Sequence, residues 1–261
     1  MPQSSPLTVS QIREIGQPAD IRGRRSAEHW TASLYLRHLS PYLTKVLLPT
    51  GISANSVTLL MILVGWSAAA ALLIPGLPGA FLAAICGQLQ MLVDCSDGEV
   101  ARVRGTTGST GIYLDKIGHY TTEGLIPIAL GVRAAGGFTL DSGWILLGTL
   151  LSVVIVWNKA LNDMADSTRY QRGLPKLVES TENSTPQAGV FGVLRRVVRF
   201  VPFYRVFHSV EMTLIILVAA VGDAIVGDLS VTRGLLLVLL PLAIVATLGH
   251  AISVLASSRL K

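Results

Sequence analysis

Residues 91–124 read MLVDCSDGEVARVRGTTGSTGIYLDKIGHYTTEG. The stretch leaves one apolar run, passes two groups of acidic residues and heads into another apolar run. Asp94 and Asp97 are three residues apart and share a helix face, with Ala101 on that face one turn later. Asp115 and His119 are four apart, again on one face, with Gly111 one turn before them. Two helices joined by so short a link pack antiparallel. Their acidic faces can then converge on one pocket at a membrane surface.

A membrane is required by what surrounds this stretch. The chain has 261 residues, 51% hydrophobic and 14% charged, with mean hydropathy +0.56. A soluble domain carries roughly 25% charged residues. These values exclude disorder, a basic nucleic-acid-binding protein and an ordinary cytosolic enzyme. They predict an all-α, polytopic integral membrane protein. Six spans are expected. The first is Val57 to Ile74, stopped by Pro75-Gly76, and the second is Pro78 to Val93, continuing as polar helix to about Arg104. The third reaches a spanning length only if it starts at Gly111 and includes the polar YLDKIGHYTTE. The fourth is Trp144 to Trp157, extending to about Asp166, and the fifth is Met212 to Val226. The sixth is Leu235 to Leu255, with Pro241 as a tolerated kink.

The net charge of +5 follows the same map. Arg13, Arg22, Arg24, Arg25, Arg37 and Lys45 precede the first span, and the link after it has no cation. The second link carries Arg102 and Arg104, the third only Arg133, and the fifth only Arg233. The long fourth link holds eight cations, from Lys159 to Arg205. Cationic and cation-poor links alternate, which predicts both termini and the acidic pocket on the cytoplasmic side. The first 26 residues have no apolar core, so no secretory signal is expected. Cys86 and Cys95 are too far apart along one helix to pair and are expected to be packing residues.

Two further segments look interfacial. Leu36, Leu39, Leu43, Val46 and Leu47 recur at helical spacing beside Trp30, Tyr35 and Tyr42. Val190, Leu194, Val197 and Val201 do so against Arg195, Arg196 and Arg199, after a polar loop at 180–187. The chain divides into a cytoplasmic arm with an interfacial helix (1–50) and a six-helix catalytic domain (51–261). The catalytic domain includes a cytoplasmic link at about 168–207.

Three carboxylates in a low-dielectric pocket repel one another unless neutralised. Oxygen ligands of this kind suit Mg²⁺ or Mn²⁺, which also hold diphosphates. Gly98, Ala101 and Gly111 remove bulk where a nucleotide or a neighbouring helix approaches. Arg102 fits either a phosphate contact or a snorkelling anchor. His29, His38 and His208 read as interfacial, and His250 as a packing histidine.

The run Asp94-x2-Asp97-Gly98-x2-Ala101-Arg102-x8-Gly111-x3-Asp115-x3-His119 resembles the signature of the CDP-alcohol phosphotransferase (phosphatidyltransferase) family, D-x2-D-G-x2-A-R-x8-9-G-x3-D-x3-D. The segment LLPTGISANSVTLLMILVG looks like the family's entry to its first span, with Ala54 in place of a proline. The resemblance implies a six-helix membrane enzyme, often a homodimer, with one or two Mg²⁺ or Mn²⁺ ions. It would transfer a phosphoalcohol or phosphatidyl group from a CDP-linked donor to an acceptor hydroxyl and release CMP. That chemistry belongs to phospholipid or envelope-lipid synthesis at a bacterial inner membrane. By the same resemblance Asp94, Asp97 and Asp115 are metal ligands. Gly98, Ala101, Arg102 and Gly111, with Asn55 and Thr58 from the first span, line the CDP site.

His119 departs from the pattern, which has aspartate there. Three readings stay open. His119 is the base that activates the acceptor, since a neutral imidazole suits neutral pH. Alternatively it is a metal ligand or acceptor contact, with Glu123 one turn on as the candidate base. In the third reading the site is inactive. Lys159, with Asn162, Asp163 and Asp166 at the cytoplasmic end of the fourth span, could border the acceptor pocket, and Arg169 and Arg172 are the better acceptor candidates if the acceptor carries phosphate. A cation transporter is the competing class. The clustering of acids at helix ends and the lack of matched halves count against it.

Overall fold

The computed structural model describes residues 7–19, 31–139, 142–174 and 203–256. Every regular element among them is helical. Helix α1 (Val9–Gly16) opens on a capping box in which Thr8 and Gln11 satisfy each other's backbone. A π-helical turn (Ala32–Leu36) runs into α2 (Arg37–Leu47), followed by a 3-10 turn (Leu48–Thr50). The long helices are α3 (Ala54–Leu72), α4 (Gly76–Arg104), α5 (Ser109–Ala135), α6 (Gly143–Gln171), α7 (Ser209–Val226) and α8 (Ser230–Ala256).

Among the described residues five helices, α3, α4, α6, α7 and α8, are long and apolar enough to cross a membrane. The chain is therefore built as an integral membrane protein. Each of the five coincides with an expected span. The third expected span corresponds to α5, a 27-residue helix. Its polar first half keeps it out of the apolar set, yet it packs between α3 and α6.

Packing follows the distribution of small and apolar side chains. Leu72, Leu130, Leu151, Ile216 and Leu236 are buried in one cluster that joins α3, α5, α6, α7 and α8. At the α5–α6 crossing a Cβ on Gly131 would lie 2.7 Å from Trp144 O, and one on Gly148 would lie 2.5 Å from Pro127 O. Only glycine lets those two backbones meet. The lone cations of the cation-poor links have structural partners. Arg133 is buried and donates to Gly76 O at 2.8 Å. Arg233 donates from Nε to Ala134 O at 3.0 Å and lies over the Trp144 ring. Ala134 O lies in the last turn of α5, where carbonyls lack an intrahelical donor.

The interfacial helix differs from its expected form. Leu39, Tyr42 and Val46 are exposed on α2, as an apolar lipid-facing stripe requires. The opposite face is polar but fully buried, with Ser40 and Thr44 packed toward α4. The stripe at 190–201 and the loop at 180–187 lie outside the described residues. No disulfide joins Cys86 and Cys95, and Cys95 packs in a core with Leu36, Met91 and Val210.

Candidate functional site

Helix α4 stops at Gly105, whose φ of 65° is the left-handed geometry of a helix C-terminus. Thr106 N donates back to Ala101 O at 2.9 Å, which turns the chain sharply. Helix α5 then starts at Ser109, and α4 and α5 both pack on α3 far more than on each other. The last three turns of α4 and the first three of α5 are thereby brought level.

His119 is the hub of what results. Its Nε2 lies 3.3 Å from Asp94 Oδ1 and 3.4 Å from Asp115 Oδ1. One ligand atom from each of Asp94, Asp115 and His119 falls within 4.8 Å of the others. Donors around a single Mg²⁺-sized ion, at about 2.1 Å each, stand roughly 3–4 Å apart. The spread and the donor chemistry fit a hard or borderline divalent cation. The third aspartate of the motif is placed differently. Asp97 is buried, and its Oδ2 accepts a hydrogen bond from Thr58 Oγ1 at 2.7 Å. Asp97 is thus tied to α3, outside the three-residue cluster.

The residues assigned to the donor line the same end. A Cβ on Gly111 would lie 3.4 Å from Asn55 Oδ1, so the missing side chain lets α3 approach α5. A Cβ on Gly98 would lie 3.0 Å from both Nη atoms of Arg102. The guanidinium therefore rests across Gly98, one turn back on its own helix. Ala101 is half-buried between these positions. Arg104 donates to Leu48 O at 2.9 Å and also to Ile52 O, which fixes the approach to α3.

Beneath the cluster lies a second charged group. Glu123 is buried, with Oε2 2.7 Å from Lys159 Nζ and Oε1 3.1 Å from His208 Nδ1. His119 Nδ1 stands 3.8 Å from Glu123 Oε1, so the imidazole bridges the acidic cluster and this pair. Lys159 also sits 5.8 Å from the centroid of the Tyr120 ring. Nearer the surface, Asp163 accepts from Lys116 Nζ at 2.8 Å and from Tyr120 OH at 3.0 Å. Arg169 is buried at the end of α6, and Arg172 is exposed just beyond it.

Two residues emerge that sequence reading passed over. His208, expected at the interface, turns inward from the start of α7 to reach Glu123. Glu99, inside the motif but off its acidic face, is fully buried. It accepts hydrogen bonds from Gln17 Nε2 at 2.8 Å, Ser40 Oγ at 2.5 Å and Thr44 Oγ1 at 2.6 Å. A signal existed for Glu99. Ser40 and Thr44 form a polar i,i+4 pair on one face of an amphipathic helix, and a buried carboxylate needs such donors.

No curated protein matches the chain at a significant level. The acidic hairpin and the helices that hold it fall inside one family match, described as CDP-alcohol phosphatidyltransferase. That match covers residues 51–172.

Proposed function

We propose that the protein transfers a phosphoalcohol or phosphatidyl group from a CDP-linked donor to an acceptor hydroxyl, releasing CMP. The observation that carries this reading is the convergence of Asp94, Asp115 and His119 on one point within the family match. A divalent cation there, Mg²⁺ or Mn²⁺, would neutralise the carboxylates and bind diphosphate oxygens. Asp94 and Asp115 would hold it, with Asp97 oriented by Thr58 as the further carboxylate. Gly98 and Gly111 leave room for the nucleotide, and Arg102 meets phosphate charge.

The acceptor oxygen forms a bond to the phosphorus of the transferred group as the bond to the CMP oxygen breaks. The hydroxyl proton passes to Nε2 of His119. A tautomer with Nδ1–H toward Glu123 leaves the Nε2 lone pair facing the acidic cluster. A second reading has specific support. Because Nε2 belongs to the compact three-residue cluster, His119 can instead serve as a ligand. Alternating cations and the position of the site at the helix ends support a cytoplasmic active site with both termini inside. Both the six-span count and a homodimer belong to this proposal.

The test is metal-dependent CMP release from CDP-diacylglycerol and from CDP-linked polar alcohols across a panel of hydroxyl acceptors. Absence of release with every combination overturns the enzymatic reading. A transporter would instead show cation flux without CMP.

A further inference from the structure

The N-terminal arm lies outside the family match, yet it touches the motif helix at the motif's Arg102 and at Glu99, which lies between motif positions. Arg102 Nε donates to Gly16 O, the last carbonyl of α1, at 2.6 Å. A helix C-terminus carries partial negative charge and suits a cation. One turn earlier on α4, Glu99 takes the arm's Gln17 amide at 2.8 Å. The same amide nitrogen also lies 2.8 Å from Arg37 O, which ties the arm to α2. The fit is close, since a Cβ on Gly16 would lie 2.9 Å from Glu99 Cγ. Ile12, on the inner face of α1, is fully buried.

These contacts define how the Arg102 guanidinium is held. Gly98 provides the surface beneath it, and Gly16 O holds its Nε edge. Glu99 is the anchor that fixes the arm at that height, through Gln17, Ser40 and Thr44. A carboxylate buried with three donors defines one geometry, because any other leaves it unsatisfied.

We infer that α1 and Gln17 are positioning elements of the nucleotide-diphosphate site: Arg102, inside the family match, is aimed by a segment from outside it. This inference rests on the CDP-donor reading above. It adds that the donor site is incomplete without residues 9–17.

The test measures binding of CDP, and of cytidine by competition, to the purified full chain in detergent with Mn²⁺. Gln17→Ala leaves Glu99 two hydroxyl donors and preserves the fold, while Ile12→Asp expels α1. Both variants are expected to weaken CDP binding about tenfold, the scale of one charge-assisted hydrogen bond. Arg102→Ala is expected to do the same. Cytidine affinity stays constant, because the arm acts on phosphate recognition alone. A merely structural lesion would lower both affinities. Gln17→Glu sets two carboxylates together and weakens CDP binding further, and adding Glu99→Gln relieves that loss. Thr232→Ala, at the opposite end of the bundle, is the control and leaves CDP binding unchanged. If Arg102→Ala weakens CDP while Gln17→Ala and Ile12→Asp do not, the arm inference is overturned and the donor site stands. If the wild-type chain binds no CDP, the donor reading and this inference both fall.

Discussion

Lys159 Nζ lies 2.7 Å from Glu123 Oε2 in the interior between α6 and α5. Both charges are withdrawn from solvent, Glu123 almost completely. Removing one partner from a buried pair strands the other, at a cost of about 3–5 kcal/mol. Lys159→Met is therefore expected to lower the thermal midpoint in detergent strongly, and Glu123→Gln to do so as well. The double variant leaves no stranded charge and recovers much of the loss. A double variant no better than either single one would show that the pair is not coupled.

Under the proposed function His119 is either the base or a ligand. General-base assistance contributes about 10²–10⁴-fold, so His119→Ala should lose activity on that scale. His119→Asp restores an all-oxygen donor set. It is expected to shift preference toward Mg²⁺ from Mn²⁺, since imidazole suits borderline metals better than it suits Mg²⁺. The two readings separate on metal dependence. If His119 is the base, the metal concentration for half-maximal activity stays fixed in His119→Ala. If it is a ligand, that concentration rises. Near-full turnover by His119→Ala would exclude both roles.

Thr58 holds Asp97 by a single hydroxyl at 2.7 Å. Thr58→Val keeps the shape and removes the donor from a buried carboxylate, which costs about 1–3 kcal/mol. Thr58→Ser keeps the donor. Activity is expected to fall roughly tenfold or more in the valine variant, by the same principle, and to stay close to wild type in the serine variant. Equal activities would show that Asp97 needs no orientation from α3.

How much of this was legible in the sequence depends on how local the signal is. Five of the long helices are readable because each holds a continuous apolar run, whereas α5 is half polar and reaches a spanning length only with its charged turn included. Asp94, Asp115 and His119 were readable because i,i+3 and i,i+4 spacing fixes a helix face, and the four-residue link 105–108 fixes the partner. The Glu123–Lys159–His208 group was not assembled, since it joins three helices whose relative rotation no local spacing encodes. In the sequence alone Lys159 reads as a border of the acceptor pocket and His208 as an interfacial residue, because neither shows its partner. Glu99 was hidden for another reason. Its donors come from Gln17, Ser40 and Thr44, 55 to 82 residues away. Polar α2 positions buried against α4 run contrary to the rule that an interfacial helix turns its polar face to water.

The crossing of α5 decides between five spans and six. Its first half carries Asp115, Lys116, His119 and Glu123, yet each is paired with another side chain of the protein. A helix whose polar groups are satisfied internally can cross. Its 27 residues, at about 1.5 Å each, exceed the roughly 30 Å hydrocarbon core. Thr106 and Thr139, both exposed, flank α5 at its two ends. In a cysteine-free background, Thr106→Cys is expected to react with a membrane-impermeant thiol reagent only in inside-out vesicles. Thr139→Cys should react only in right-side-out vesicles or intact cells. Labelling of both positions from the same side would show that α5 does not cross, and would reverse the orientation assigned to every later helix.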